Sequence, residues 1–232
     1  MRAAYLHGER DDYATASVVL SDAVRRLSKG IRNIEMMPDD RLQPLVQCLE
    51  MRAICQAKCG KLSGALDQYD ELLPLLAKTQ GAGCARYNSA LIHKAALLFT
   101  MKNHKVAMIT VGKYLKASDV AERDGAIVDP KDHLLALDTT AACYLKLGNV
   151  DKAVYTFEKK LEFVKKEMPD CKELRGDTMH KLGCLLAFRQ QYNDALPYLN
   201  EALSTRKNAY GSDDKSVIES SWLKNFGPSI AS

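Results

Sequence analysis

Only 7 prolines and 13 glycines interrupt the 232 residues of this chain, too few for an all-β protein, which needs them at its many tight turns. Charge of one sign is scarce as well. The formal net charge is +4, from 33 Lys+Arg against 29 Asp+Glu, whereas a dedicated nucleic-acid binder concentrates a larger basic excess on one face. Long apolar runs are missing: none approaches the roughly 18–20 residues that cross a bilayer. Met1–Gly8 carries neither an apolar stretch nor a cleavage signal, so an intracellular protein without a membrane partner is expected. The 7 cysteines (Cys48, Cys55, Cys59, Cys84, Cys143, Cys171 and Cys184) are odd in number and lack paired spacing. That argues against a secreted disulfide framework and for free thiols in a reducing compartment.

What the chain does have is 47% hydrophobic and 27% charged residues, the balance of an ordered, helix-rich protein. The apolar residues repeat. One unit is clearest in Ala141-Ala142-Cys143-Tyr144-Leu145-Lys146-Leu147-Gly148-Asn149, followed by Val150-Asp151-Lys152-Ala153-Val154-Tyr155-Thr156-Phe157. Leu182-Gly183, Leu186, Tyr192, Ala195, Leu199 and Ala202 fill the same slots further on. So do Ala95, Leu98, Ala107 and Val111, then Ala53, Gly60, Ala65, Tyr69 and Leu72, and more weakly Ala4, Tyr13, Ala16, Leu20 and Ala23. An alanine early in each second helix marks the period: Ala16, Ala65, Ala107, Ala153 and Ala195 lie 49, 42, 46 and 42 residues apart.

Each unit reads as two amphipathic helices, with apolar residues three and four apart. Small residues (Ala53, Ala95, Ala141, Gly183) in the first helix face the ruler alanine of the second, so the two approach closely. Polar turns separate them at Cys59-Gly60-Lys61, Lys102-Asn103-His104, Leu147-Gly148-Asn149 and Gln190-Gln191-Tyr192. Asp129-Pro130 reads as an N-cap followed by proline at the first helical position. Pro197 is expected in the first turn of its helix, where a missing N–H costs little.

These residues resemble the tetratricopeptide repeat family, with Leu137–Phe163 and Met179–Leu203 the most specific stretches. The period is longer than that family's usual ~34 residues and is similar to that of kinesin light chain and its relatives. The run Ala195–Leu203 followed by Tyr210–Val217 comes close to that pattern. Asp138-Thr139 and His180-Lys181 stand where that subfamily carries asparagines, and Lys160 where alanine is usual. The resemblance implies an all-α, right-handed superhelical solenoid of antiparallel helix pairs. It would form one domain over 1–232, with repeats at 1–30, 39–79, 84–118, 129–168 and 170–209. Residues 214–226, with Trp222, Leu223 and Phe226, are expected to form a C-terminal capping helix. At the other end only three residues precede Ala4, which suggests an array shortened there or capped by a partner.

No catalytic, cofactor or metal site is expected. Cys48, Cys55 and Cys59 share one helix but lack further ligands at finger-like spacing, and Cys59-Gly60-Lys61-Leu62-Ser63 lacks the upstream glycine of a phosphate loop. His7, His93, His104, His133 and His180 are scattered over different repeats. The resemblance implies instead a non-catalytic scaffold or adaptor, a subunit of a larger assembly. Its partner would be an amphipathic helix, an extended peptide or a neighbouring subunit, gripped in the groove that first helices line. The groove residues expected are Glu50, Ile54 and Ala57, then Ile92, Ala96 and Phe99. Leu135, Asp138, Ala142 and Leu145 follow, then Asp177, His180, Cys184 and Ala187. This strip is apolar at the centre and acidic at the edges. A clamp for the acidic tails of heat-shock chaperones would need cations where Glu50, Ile54, His93, Asp138 and His180 stand, and is disfavoured. RNA binding is the alternative function, opposed by the near-balanced charge. The expected setting is cytoplasmic, with cytoskeletal, ciliary or transport-related assemblies all compatible.

Overall fold

The turns explain the architecture best. In a computed structural model that describes residues 12–29, 39–123, 125 and 128–210, Gly60, Lys102, Gly148 and Gln190 all adopt positive φ, between 62° and 76°. Each lies five residues before a ruler alanine. At each turn the next residue's N–H reaches back across the end of the first helix: Lys61 to Gln56 O, Asn103 to Leu98 O, Asn149 to Tyr144 O and Gln191 to Leu186 O, at 2.8–2.9 Å. The positive-φ residue itself donates to the carbonyl three residues before it. This paired pattern is a Schellman motif, which satisfies the carbonyls a helix end would otherwise leave bare.

The helices so delimited are α1 (Tyr13–Leu27), α2 (Asp39–Lys58), α3 (Leu62–Gln80), α4 (Ala85–Thr100), α5 (His104–Arg123), α6 (Pro130–Lys146), α7 (Val150–Glu167), α8 (Lys172–Phe188) and α9 (Tyr192–Tyr210). No strand occurs among the described residues. The Asp12 carboxylate caps α1 by accepting from Thr15 N at 3.2 Å, and Asn149 Oδ1 caps α7 by accepting from Lys152 N at 3.3 Å. Asp129 Oδ1 accepts from Lys131 N at 2.8 Å, with Pro130 in the first position of α6 as expected. Pro197 is a correction. It is the sixth residue of α9, beyond the first turn, so it removes an N–H that would have reached Asn193 O. Asn193 is exposed, which leaves that carbonyl open to water and makes the substitution tolerable.

The chain divides into two compact units, Met1–Thr139 and Thr140–Ser232. In the first, α1 packs on α2, α2 on α3, α3 on α4 and α4 on α5. Its core joins Leu45, Val46 and Leu49 of α2, Leu72 and Leu76 of α3, Leu91 and Ile92 of α4, and Val111 and Tyr114 of α5. A smaller cluster sets Ala16 and Leu20 of α1 against Cys48 and Cys55 of α2. In the second unit, Ala141 of α6 and Val154, Phe157 and Leu161 of α7 meet Met179, Leu182 and Leu186 of α8 and Ala195, Leu199 and Ala202 of α9.

All five ruler alanines are at most 1% exposed. Twelve residues before four of them come Ala53, Ala95, Ala141 and Gly183, all buried. Gly183 shows why size matters there: a Cβ on it would lie 2.7 Å from Leu199 Cγ. The expected capping helix at 214–226 and the first helix around Ala4 lie outside the described residues.

Candidate interaction face

In the first unit the outward face of the first helices is not a loose fringe of solvated charge. Glu50 of α2 and Arg86 of α4 form a two-pronged ion pair, Arg86 Nε donating to Glu50 Oε1 at 3.1 Å and its Nη2 to Oε2. Both side chains are about 30% exposed, so the planar fork is held at the surface while its stems pack. The Glu50 carboxylate also bears on Tyr69 beneath it. The Tyr69 hydroxyl is pushed up to about 12, first by burial and then by that charge.

One helix further on, His93 of α4 faces Asp132 of α6, with Nδ1 4.0 Å from Asp132 Oδ1. Ser89 hydrogen-bonds the same carboxylate. Burial raises the Asp132 carboxyl above its ordinary range, while Ser89 and the His93 charge partly offset this. Although serine, histidine and aspartate meet here, the geometry is not that of a nucleophile and its base. His93 Nδ1 donates to the Ser89 backbone carbonyl at 2.8 Å, so it cannot act as the base for the Ser89 hydroxyl, whose oxygen lies 3.5 Å from it. These contacts tie neighbouring first helices together. Among the described residues no group of three or more His, Cys, Asp or Glu side chains is arranged to hold a metal ion.

The residues expected in the groove fall in different places. Ile54 is 48% exposed on the outer stripe of α2, one turn beyond Glu50. Phe99 is half-buried and meets the His104 ring at a 49° tilt, with ring centroids 5.0 Å apart. Leu135 packs partly against the core, and Asp138 is half-buried. Ile92 is a correction: it is fully buried inside the first core and cannot meet a partner. Apolar residues run almost unbroken from Ala90 to Leu98, so α4 offers little polar contrast, and the outward stripe is Ser89, His93, Ala96 and Thr100.

In the second unit, Leu145 lies partly exposed near the end of α6. Asp177 of α8 is engaged within its own hairpin, accepting from Arg206 Nε at 3.0 Å and Nη2 at 2.7 Å. His180 Nε2 lies 3.6 Å from Cys184 Sγ on the same helix. The acidic edge expected for the groove is thus neutralised in part from within, Glu50 by Arg86 and Asp177 by Arg206.

Sequence reasoning missed Arg86, Ser89 and Asp132. A usable signal existed, because Glu50 and Arg86 are 36 residues apart and His93 and Asp132 are 39 apart. Oppositely charged groups at nearly one repeat's spacing on the outward stripes of consecutive first helices are placed to meet.

Residues 175–214, spanning most of α8 and all of α9, match the family model of the tetratricopeptide repeat. The fold is tetratricopeptide-type. Among solved structures the chain is similar to BtubC (BKLC) from P. vanneervenii, at 15% identity over 91% of this chain and 80% of that one, with a TM-score of 0.70. It is also similar to a Podosopora anserina protein with nearly identical TPR-like repeats. There the identity is 14% over 90% of this chain and 94% of the other, with a TM-score of 0.68. The apo form of RapI matches at 13% identity over 99% and 70% of the two chains, with a TM-score of 0.65. No curated protein matches by sequence. Tetratricopeptide-type repeats are protein-interaction scaffolds, and that general architecture is the one found here. No described helix is long and apolar enough to cross a membrane.

Proposed function

We infer that the protein is a non-catalytic adaptor whose first-helix face in the Met1–Thr139 unit grips a helix or extended peptide of another protein. The observation that carries this reading is Ile54, a large apolar side chain nearly half exposed, standing beside the Glu50–Arg86 pair that fixes the surface around it. A rigid polar frame next to an uncovered apolar residue lowers the ordering cost of binding, because the frame is organised before the partner arrives. The partner supplies an apolar anchor over Ile54 and hydrogen-bonding groups toward Arg86, Ser89 and His93. Because Glu50 is already paired with Arg86, a basic partner is less favoured than one anchored by apolar side chains. Leu145 offers a separate apolar contact in the second unit. We place the protein within a larger assembly in the cytoplasm, where such an adaptor would act.

Affinity purification of the tagged native protein with crosslinking mass spectrometry tests this, run beside Ile54→Glu and Leu145→Glu variants whose helicity is checked by circular dichroism. Partner crosslinks to α2 and α4 that vanish in Ile54→Glu support the reading. Partners that persist unchanged in a folded Ile54→Glu protein refute it.

A further inference from the structure

The second helix α5 carries a feature that hairpin packing does not use. Its buried side, with Ala107, Thr110, Val111, Tyr114 and Ser118, faces the core. On the other side Val106, Ile109, Lys113, Lys116 and Val120 follow one another at steps of three, four, three and four residues. That is the spacing of a helix seam that packs against another helix. Ile109 is 63% exposed, and Val106 and Val120 are each at least half exposed. A helix embedded in a repeat needs one apolar stripe; this one has two.

The seam opens into a cleft. Between the connector at Ala82 and Gly83, Tyr87 and Leu91 of α4, and Lys113, Lys116, Ala117, Val120 and Ala121 of α5 lies a depression of about 590 Å³. Its walls are apolar apart from the two lysines. Among the described residues neither Lys113 nor Lys116 forms an ion pair, although both are exposed. The nearest carboxylates on α5, Asp119 and Glu122, lie beyond Lys116 toward the helix C-terminus, and both act electrostatically on His133 of α6. The seam thus sets two ammonium groups outside any ion pair between uncovered apolar side chains, Val106 and Ile109 on one side and Val120 on the other.

We propose that the outward seam of α5 is a second docking surface, which takes an acidic amphipathic helix of a partner protein. Apolar side chains of that helix cover Val106, Ile109 and Val120 and enter the cleft beside Tyr87 and Leu91, while its carboxylates meet Lys113 and Lys116. Like-charged helices are rejected by the same lysines.

Fluorescence anisotropy with two labelled synthetic helices tests this. One carries leucines at alternating three- and four-residue steps flanked by glutamates, and the other has lysines in place of those glutamates. The glutamate helix is expected to bind about tenfold more tightly than the lysine helix. In Lys113→Glu/Lys116→Glu, a surface change checked for folding by circular dichroism, the order reverses; in Ile109→Ser both helices weaken together. Equal binding of the two helices, no binding, or binding that the lysine replacements leave unchanged would overturn the proposal. So would co-sedimentation with phosphatidylserine vesicles that depends on Lys113 and Lys116 while neither helix binds, which assigns the seam to a membrane surface.

Discussion

In the α8–α9 hairpin, Leu199 occupies the space where a Cβ on residue 183 would sit, 2.7 Å away. In α4–α5 the equivalent position is Ala95, itself fully buried, so α4 reaches its partner through a methyl group. The two hairpins share a turn, with positive φ at Gln190 and at Lys102. They differ again in their polar groups. Asp177 of α8 pairs with Arg206 inside its own hairpin, whereas Arg86 and His93 of α4 reach out to α2 and α6. The repeat pattern constrains the seam between paired helices tightly. It leaves the outward face free to diverge, and that face is where binding differences between repeats must arise.

Core substitutions break this comparison most strongly. Leu199→Ala empties a buried side chain and should cost about 3 kcal/mol in urea unfolding of the second unit. Gly183→Ala should cost about 1–2 kcal/mol, because the clash with Leu199 outweighs the gain in helix propensity. The double variant should cost clearly less than the two added, since removing Leu199 removes the clash. Ala95→Gly should cost only about 1 kcal/mol, mostly through backbone entropy. Additive behaviour of the 183/199 pair would show that close approach is not what residue 183 provides.

The ion pairs sharpen the same contrast at a smaller scale. Arg206 is only 7% exposed and its Asp177 partner 44%, so Asp177→Ala takes a charged acceptor from a nearly buried guanidinium and should cost about 2 kcal/mol. Glu50→Ala leaves Arg86 able to turn into water and should cost under about 1 kcal/mol. Equal losses in urea titrations of the two variants would mean that burial does not set the difference.

The turns give the smallest effects. Lys102→Gly and Gln190→Gly should each stabilise by roughly 0.5–1 kcal/mol, and Gly148→Ala should destabilise by about 1 kcal/mol. Thermal unfolding read by circular dichroism resolves both signs.

The alanine ruler and the polar turns were legible in the sequence because each is local: a small residue at a fixed offset and a break in helical periodicity. The exposed side of α2 was legible in part, because Glu50, one turn before Ile54, marks it with a charge. Ile92 was not, because α4 has too few polar residues in its middle to mark which side faces water. Nor could the pairing of Asp177 with Arg206 be read, because it depends on how far along α9 the chain has climbed when it passes α8. Helical periodicity reports direction around one axis. Which charges meet depends on the relative height of two.

The repeated Schellman turn also bears on how the chain folds. At each of the four described hairpins the bonds that reverse the chain join residues only three or five apart, so closure needs no distant segment. Low contact order of this kind goes with fast folding, and closing so short a loop takes well under a microsecond. The slow events are then the dockings of one hairpin on the next. A variant that spoils Gly148 should therefore delay nucleation of α6–α7 while leaving the folding of α2–α3 untouched.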